Sequence, residues 1–479
     1  MYSSISYNRP NHYKYFQVTL LFTIFVNSIG FFTVGFLNTG NIMLLNLLMA
    51  IFIVVNRLIN PVVLTYLVTV YIFFITRMIY LNYFPSDFLY IDNVSFNNED
   101  FSSTTMLLIL VTLIFTTAVI IFRSSMTDKI KTSAVLPFSR IAIVGNYEKA
   151  IFYLFPIFQV AILILKFTTG VGMRGFNNLT KNTDSGYLYV IFYILIQVGF
   201  IFPAYYFILK RREKIILINC IIFFIGTLLD FSKASLLYIL LPVFLGYVVY
   251  KRNIPPKLIK YTAIIGLFTL AFLGLIIGYF RVYLAQTIFH IDISDSSFFN
   301  EINIIDSLTG MIGRLGSSFD VLYSIMIKKA SFLSQVNFVN EVKILVNGFF
   351  PGQPFAVSEN YTLTEYVPVI LRGYELEFLN GYAENVNVFS YLYILFPSVF
   401  FYLGFFILGL GVSIWYYVSR SLSAKLYILS FLIINLSNSG GLTDLVRSVV
   451  FFYLAFLIYA ILSKLFFNPN SVKKHAVVA

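Results

Sequence analysis

Five charged residues stand at the ends of long apolar windows, where charge is costly and defaults to a functional role. Asp230 and Lys233 occupy Leu229-Asp230-Phe231-Ser232-Lys233-Ala234-Ser235, and Arg281 follows Tyr279-Phe280. Asp444 and Arg447 lie in Ser439-Gly440-Gly441-Leu442-Thr443-Asp444-Leu445-Val446-Arg447-Ser448. Two chemistries compete for them. The i,i+3 spacing of Asp230–Lys233 and of Asp444–Arg447 suits plain ion pairs, and any single long cation can snorkel to lipid headgroups. Arginines gathered without a metal suit a diphosphate, because guanidinium forks match phosphate oxygens two at a time. The sequence holds no P-loop, no Gly-rich dinucleotide fingerprint and no His/Cys metal spacing, so neither metal nor cofactor is expected. A lone thiol, Cys220, excludes an internal disulfide framework and a thiolate cluster.

The elements that position these residues follow from composition. The chain has 479 residues, 59% apolar and 11% charged, with mean hydropathy +0.85. Soluble domains are about 45–50% apolar and about 25% charged, so most of this chain needs a bilayer as its solvent. That excludes a soluble globule, a fibre and a disordered tail. About twelve uninterrupted apolar windows are candidate spans, near 15–37, 42–55, 62–80, 105–122, 150–167, 187–209, 215–229, 234–250, 259–280, 386–418, 426–436 and 448–467. The second and eleventh are short, and the tenth is long enough to tilt. The first is too long for a signal-peptide core and lacks a small-residue cleavage site, so it reads as retained.

Charge orients these windows. With Arg9 and Lys14 cytoplasmic and every window crossing, the inner segments hold 21 of the 33 cations but only Asp128, Glu148 and Glu213 among the acids. A bias that holds through every loop is the positive-inside pattern, and it places both termini in the cytoplasm. It also accounts for the pI near 9.4 without a nucleic-acid partner. The basic run Lys210-Arg211-Arg212-Glu213-Lys214 reads as a topological anchor or an anionic-lipid contact. The chain divides into 1–280 with nine spans, 281–385 outside, and 386–479 with three spans and a tail.

The outer segment is too long to be a plain connection. Leu308, Met311, Ile312, Leu315, Phe319, Leu322 and Met326 follow helical spacing in it, and Gly310, Gly313 and Gly316 recur every third residue. It reads as a folded, amphipathic lid lying on the membrane; a merely structural cap is the bland alternative. Six cations (Arg281, Arg314, Lys328, Lys329, Lys343, Arg372) face eleven acids there. An anion would therefore be held by a few placed arginines inside an acidic cavity suited to sugar hydroxyls.

At these residues the chain resembles the O-antigen polymerase (Wzy-type) superfamily of polysaccharide repeat-unit polymerases, most nearly the enterobacterial common antigen polymerases. The resemblance covers about 230–467. It rests on Ser232-Lys233-Ala234-Ser235, Tyr279-Phe280-Arg281-Val282-Tyr283 and Gly313-Arg314-Leu315-Gly316-Ser317. Phe350-Pro351-Gly352-Gln353-Pro354 with Asn360-Tyr361, and Leu442 through Phe451, complete it. Lys233 and Gln353 depart from it, standing where arginine is expected.

The resemblance implies an all-α polytopic fold of about 12 transmembrane helices, GT-C-like, with one large folded periplasmic loop, in a bacterial inner membrane. It implies metal-independent glycosyl transfer at the periplasmic face. The partners would be a growing glycan and single repeat units on undecaprenyl diphosphate, membrane lipid and a chain-length regulator protein. Such a site must grip two lipid-borne diphosphates, accept a hydroxyl proton and stabilise the leaving diphosphate. Lys233, Arg281, Arg314, Arg372 and Arg447 are the diphosphate candidates. Asp444, Glu384, Asp320 and Glu359 are the available proton acceptors, and the sequence does not choose among them.

Two other readings stay open. A lipid-linked oligosaccharide flippase also has about twelve spans and buried cations, but would spread charge along many helices and needs no large outer segment. An O-antigen ligase shares the architecture and differs in acceptor; such ligases depend on an outer histidine, and His290 beside Asp292 is the candidate.

Overall fold

In a computed structural model of the chain, the structure describes residues 60–83, 85–88, 94, 97–130, 148–169, 185–203, 205–206, 213–228, 317–336, 338–347, 363–373, 386–396, 399–419, 422–437 and 442–466. Nearly all of them are helical. The expected windows 15–37, 42–55, 234–250 and 259–280 lie outside the described residues.

The first described helix, α1 (Pro61–Val70), starts where its sequence says it must. Asn60 is its N-cap and accepts from the Val62 amide at 3.0 Å, and Pro61 sits at the position that needs no donor. One π-helical turn (Tyr71–Ile75) joins it to α2 (Thr76–Tyr83), and the Thr76 hydroxyl donates to the Tyr71 carbonyl at 3.0 Å across the widened turn. After a short 3-10 turn, Pro85–Asp87, comes α3 (Asn98–Ile130). A second group follows: α4 (Glu148–Thr169), α5 (Ser185–Ile196) with its 3-10 extension Gln197–Phe200, α6 (Ile201–Pro203) and α7 (Lys214–Leu228).

The segment expected outside supplies α8 (Ser317–Ile327), α9 (Lys329–Leu333), α10 (Phe338–Asn347) and α11 (Leu363–Arg372). Gly373, at φ 70°, closes α11 in the left-handed conformation that spares a Cβ clash, and its amide donates to the Val369 carbonyl at 3.0 Å. The chain ends in α12 (Val388–Leu395), α13 (Val399–Val418), α14 (Leu422–Ser437) and α15 (Leu442–Phe466).

Two apolar cores result. The larger joins α1, α2, α3, α8, α11, α12, α13 and α14; the smaller joins α4, α5, α7 and α15 with the other side of α14. Where α13 crosses α3, Gly409 lies so close that a Cβ there would stand 2.9 Å from the Phe115 carbonyl oxygen. Small residues set such close crossings in apolar surroundings.

Among the described residues, four helical stretches are long and apolar enough to cross a membrane: Pro61–Met78, Glu99–Phe122, Val399–Val418 and Val449–Phe466. The outward faces suit lipid. Tyr153, Ile157, Val160 and Ile164 form an exposed helical stripe on α4; Val399, Leu403, Ile407 and Ile414 form another on α13.

Three expectations change. The 386–418 window is not one tilted helix: it breaks at Phe396 (φ −122°, ψ 106°), because a residue before proline is driven out of helical geometry. The 187–209 window likewise breaks into α5, a 3-10 turn and α6, which ends at Pro203. The third change concerns α8, which does not lie amphipathically on a surface. Residues 318–325 are buried on every side, so this helix is inserted into the bundle.

Candidate functional site

The inserted helix α8 brings a carboxylate into the bundle, and α2 meets it with a guanidinium. Arg77 follows the π turn by two residues; such an extra residue shifts the face that the next side chains present, and π turns are frequent at functional sites. Its Nε donates to Asp320 Oδ1 at 2.9 Å and its Nη2 to Oδ2 at 2.6 Å. Asp320 is 0% exposed and Arg77 5%. The guanidinium carbon also stands 5.3 Å from the centre of the Tyr80 ring. A paired fork of this kind is the geometry that makes a buried charge pair tolerable.

Hydrogen bonds lock α8 to the ends of three more helices. The Ser318 hydroxyl donates to the Ser437 carbonyl at the end of α14. Asn387, the N-cap of α12, donates through Nδ2 to the Ser318 carbonyl at 2.6 Å and accepts through Oδ1 from the Ser390 amide at 2.9 Å. The Tyr323 hydroxyl accepts from the Asn97 amide at 2.7 Å, just before α3. Rings fill the space between: Phe101 meets Phe319 edge-on at 5.4 Å, and Phe88 meets Tyr323 at 5.3 Å. The C-terminal ends of α2 and α14 and the N-terminal ends of α3 and α12 therefore gather at one end of the bundle, around a helix from 281–385.

A second buried carboxylate organises the remaining outer helices. Glu341 on α10 is 3% exposed; Oε1 accepts from the Leu363 amide at 2.7 Å, and Oε2 accepts from the Tyr391 hydroxyl at 2.6 Å. The first bond satisfies an amide that the start of α11 leaves without an intrahelical partner, and places negative charge at its positive dipole end. The second ties α10 to α12. The other side of α10 packs on α15. One short helix thus supports both α11, which ends in Arg372, and α15, whose first two turns carry Asp444 and Arg447. Nearby, Lys329 places its Nζ 3.9 Å from the centre of the Tyr393 ring, and burial there pulls its ammonium below the usual lysine range.

Of the residues the sequence selected, Asp320 and Arg372 have described side chains. Arg372 is part-buried in the last turn of α11, where a cation complements the helix dipole. Asp320 accepts from Arg77 through both oxygens, each of which has a second acceptor site. Asp444 and Arg447 lie on α15, three residues apart on one helical face. Lys233, Arg281, Arg314, Glu359 and Glu384 lie outside the described residues, as do Gly310, Gly313, Gly316, Gln353 and His290. Among the described residues no group of His, Cys, Asp and Glu could hold a metal ion.

Sequence reasoning passed over Arg77, Glu341 and Lys166. Arg77 and Lys166 each stood inside an apolar window and met the test applied to Arg281. Lys166, 1% exposed on α4, belongs to the second group of helices. Glu341 carried no local signal, since its partners are 22 and 50 residues away.

The described residues are therefore nearly all helical, with four stretches long and apolar enough to cross a membrane and a polar junction at one end of the larger bundle. No protein-family model matches the chain, and neither a curated protein nor a solved structure matches it.

Proposed function

We propose that the protein polymerises undecaprenyl-diphosphate-linked oligosaccharide repeat units at the periplasmic face of a bacterial inner membrane, as the O-antigen type of polymerase does. The observation that carries this reading is the incorporation of α8 and α11 into the same apolar core as α1–α3, α12 and α14, with α10 tied to α11 and α12 through Glu341. A connecting loop has no need of this. A transferase acting on lipid-borne sugars needs helices fixed over the membrane end of its bundle, so that donor and acceptor meet in a set geometry. In this reading Arg77 is a positioning residue, Glu341 aims α11, and Arg372 and Arg447 grip diphosphate with Arg281, Arg314 and Lys233. Asp444, Glu384, Asp320 and Glu359 remain the proton-acceptor candidates, Asp320 being held in place by Arg77. A diphosphate leaves readily, which lowers the demand on the base.

The test is glycan chain length. With protein level unchanged, Arg281→Ala and Arg447→Ala should each leave single repeat units and abolish long chains. Normal chains in both would remove the diphosphate clamp. One observation favours the flippase reading: Lys166 is a second buried cation, set in a different bundle from Arg77. Under that reading, lipid-linked units would accumulate on the cytoplasmic side.

A further inference from the structure

The connection from α9 to α10 carries an exposed apolar surface. Leu333, Phe338 and Val339 are large, apolar and exposed, Val339 by 57%. Leu333 and Phe338, with Ser334, Gln335 and Val336, border an open cleft of about 410 Å³, whose opposite wall is Ile394 and Leu395 at the end of α12. Phe338 reaches across to Phe396, ring centres 5.5 Å apart. Three residues further along the chain the exposed stripe of α13 begins, with Val399 at 74% and Phe400 at 62%. Phe396, which Phe338 touches, thus stands three residues before a helix that is apolar and long enough to cross a membrane.

Charge is arranged to match. Lys328 caps α9 and Lys329 opens it, and the Lys329 ammonium lies over the Tyr393 ring, one residue before the cleft wall. The aromatic face holds the Lys329 ammonium beside the cleft, and paired lysines at the edge of an apolar surface are what anionic lipid phosphate attracts.

We infer that the α9–α10 elbow is a membrane-interface anchor: Leu333, Phe338 and Val339 sit among the acyl chains of the leaflet on the side of residues 281–385, a phospholipid chain fills the cleft, and Lys328 and Lys329 meet the headgroup phosphate. The occupant is bulk phospholipid. The inference rests on membrane insertion and stands whether or not the polymerase reading holds. An elbow seated in the leaflet would fix the height of α10, and with it α11 and α15, against the membrane surface.

The experiment uses the full chain in nanodiscs of mixed phosphatidylcholine and phosphatidylglycerol, with Cys220→Ser removing the one native thiol. Nitroxide labels go on Val339→Cys and Leu333→Cys, with Phe400→Cys as the lipid reference and Glu99→Cys, exposed at the start of α3, as the water reference. Power saturation then compares collisions with oxygen, which partitions into lipid, and with a water-soluble nickel chelate. The expected result is an oxygen-to-nickel ratio at 333 and 339 severalfold above that at 99 and close to that at 400. Adding Lys328→Glu and Lys329→Glu should lower the ratio at 339 in the anionic nanodiscs. A nickel-accessible elbow would overturn the inference. So would labels shielded from both probes, which would mean that protein, such as a second copy, covers this face. A low ratio at 400 itself would instead strike at membrane insertion of α13.

Discussion

Arg77→Ala is expected to be among the most damaging single truncations of the described residues, costing about 3–5 kcal/mol, because it strands Asp320 as a buried, uncompensated charge. Asp320→Ala should cost at least as much. The guanidinium it leaves behind cannot shed its proton, whereas a stranded carboxyl can take one up. Arg77→Lys keeps the charge but loses the two-pronged fit at 2.9 and 2.6 Å, and should fall between the wild type and alanine. The double replacement Arg77→Met with Asp320→Leu should recover most of the loss, since a well-packed apolar pair can substitute for a buried ion pair. Thermal midpoints of the four variants in one detergent, with monodispersity followed on a sizing column, provide the check. A double mutant as unstable as the singles would show that the pair's neighbours, not the pair, hold α8 in place. A stable and inactive double mutant would assign the pair to positioning of the site.

The second large effect is expected at Glu341. Glu341→Ala removes the acceptor from a buried amide and a buried hydroxyl, each worth about 1–3 kcal/mol when left unsatisfied, so roughly 2–5 kcal/mol in all. Glu341→Gln keeps the shape and one good acceptor. Its amide nitrogen then faces the Tyr391 hydroxyl, which can rotate to accept, so the cost should drop to about 1 kcal/mol. Tyr391→Phe isolates the second bond and should likewise cost about 1 kcal/mol. The informative readout is local. Hydrogen exchange at the Leu363 amide and through the first turn of α11 should rise sharply in Glu341→Ala and only slightly in Tyr391→Phe. Unchanged protection in the alanine variant would show that α11 is fixed by packing alone, through Tyr366, Val367 and Leu371.

These two carboxylates also mark the boundary of what the sequence made legible. Apolar windows located the helix bodies well: 62–80 corresponds to α1 through α2, 150–167 to α4 and 215–229 to α7. They failed at helix ends. α3 runs from Asn98 to Ile130, well beyond the 105–122 window, because its first and last turns are polar and hydropathy does not register polar helix. α15 begins at Leu442, six residues ahead of its window, and so takes in Asp444 and Arg447 as helical residues. The π turn at Tyr71–Ile75 has no signature in Tyr-Ile-Phe-Phe-Ile. The break at Phe396 did have one, in the following proline, but a long apolar run masked it. α8 misled for a different reason. Its apolar positions follow helical spacing, yet Ser318, Asp320 and Ser324 on its other faces are buried too, because Arg77, Asn387 and Ser437 come to meet two of them from distant parts of the chain. Such pairing across 243 residues is a tertiary fact that no local pattern encodes.

The same distinction explains the state of the candidate site. Arg281, Arg314, Arg372, Arg447 and Lys233 were chosen because a charge near a membrane surface needs a reason, and that rule is sound for Arg77 as well. Applied without exception, it would have set the lone cation of the 62–80 window against the lone acid of the 317–327 helix. What it could not separate is a cation that grips a ligand from one that anchors a helix. Arg77, paired with Asp320, anchors a helix.

The most direct test of the proposed activity is the surface glycan of a strain lacking this protein, displayed by size on a gel beside the same strain complemented with the wild-type chain. A lipid-linked repeat-unit polymerase predicts a single-repeat product in the deletion and a full ladder on complementation. A deletion strain with no repeat unit on its surface glycan would contradict the polymerase reading in favour of a flippase or ligase, and an unaltered ladder would contradict all three.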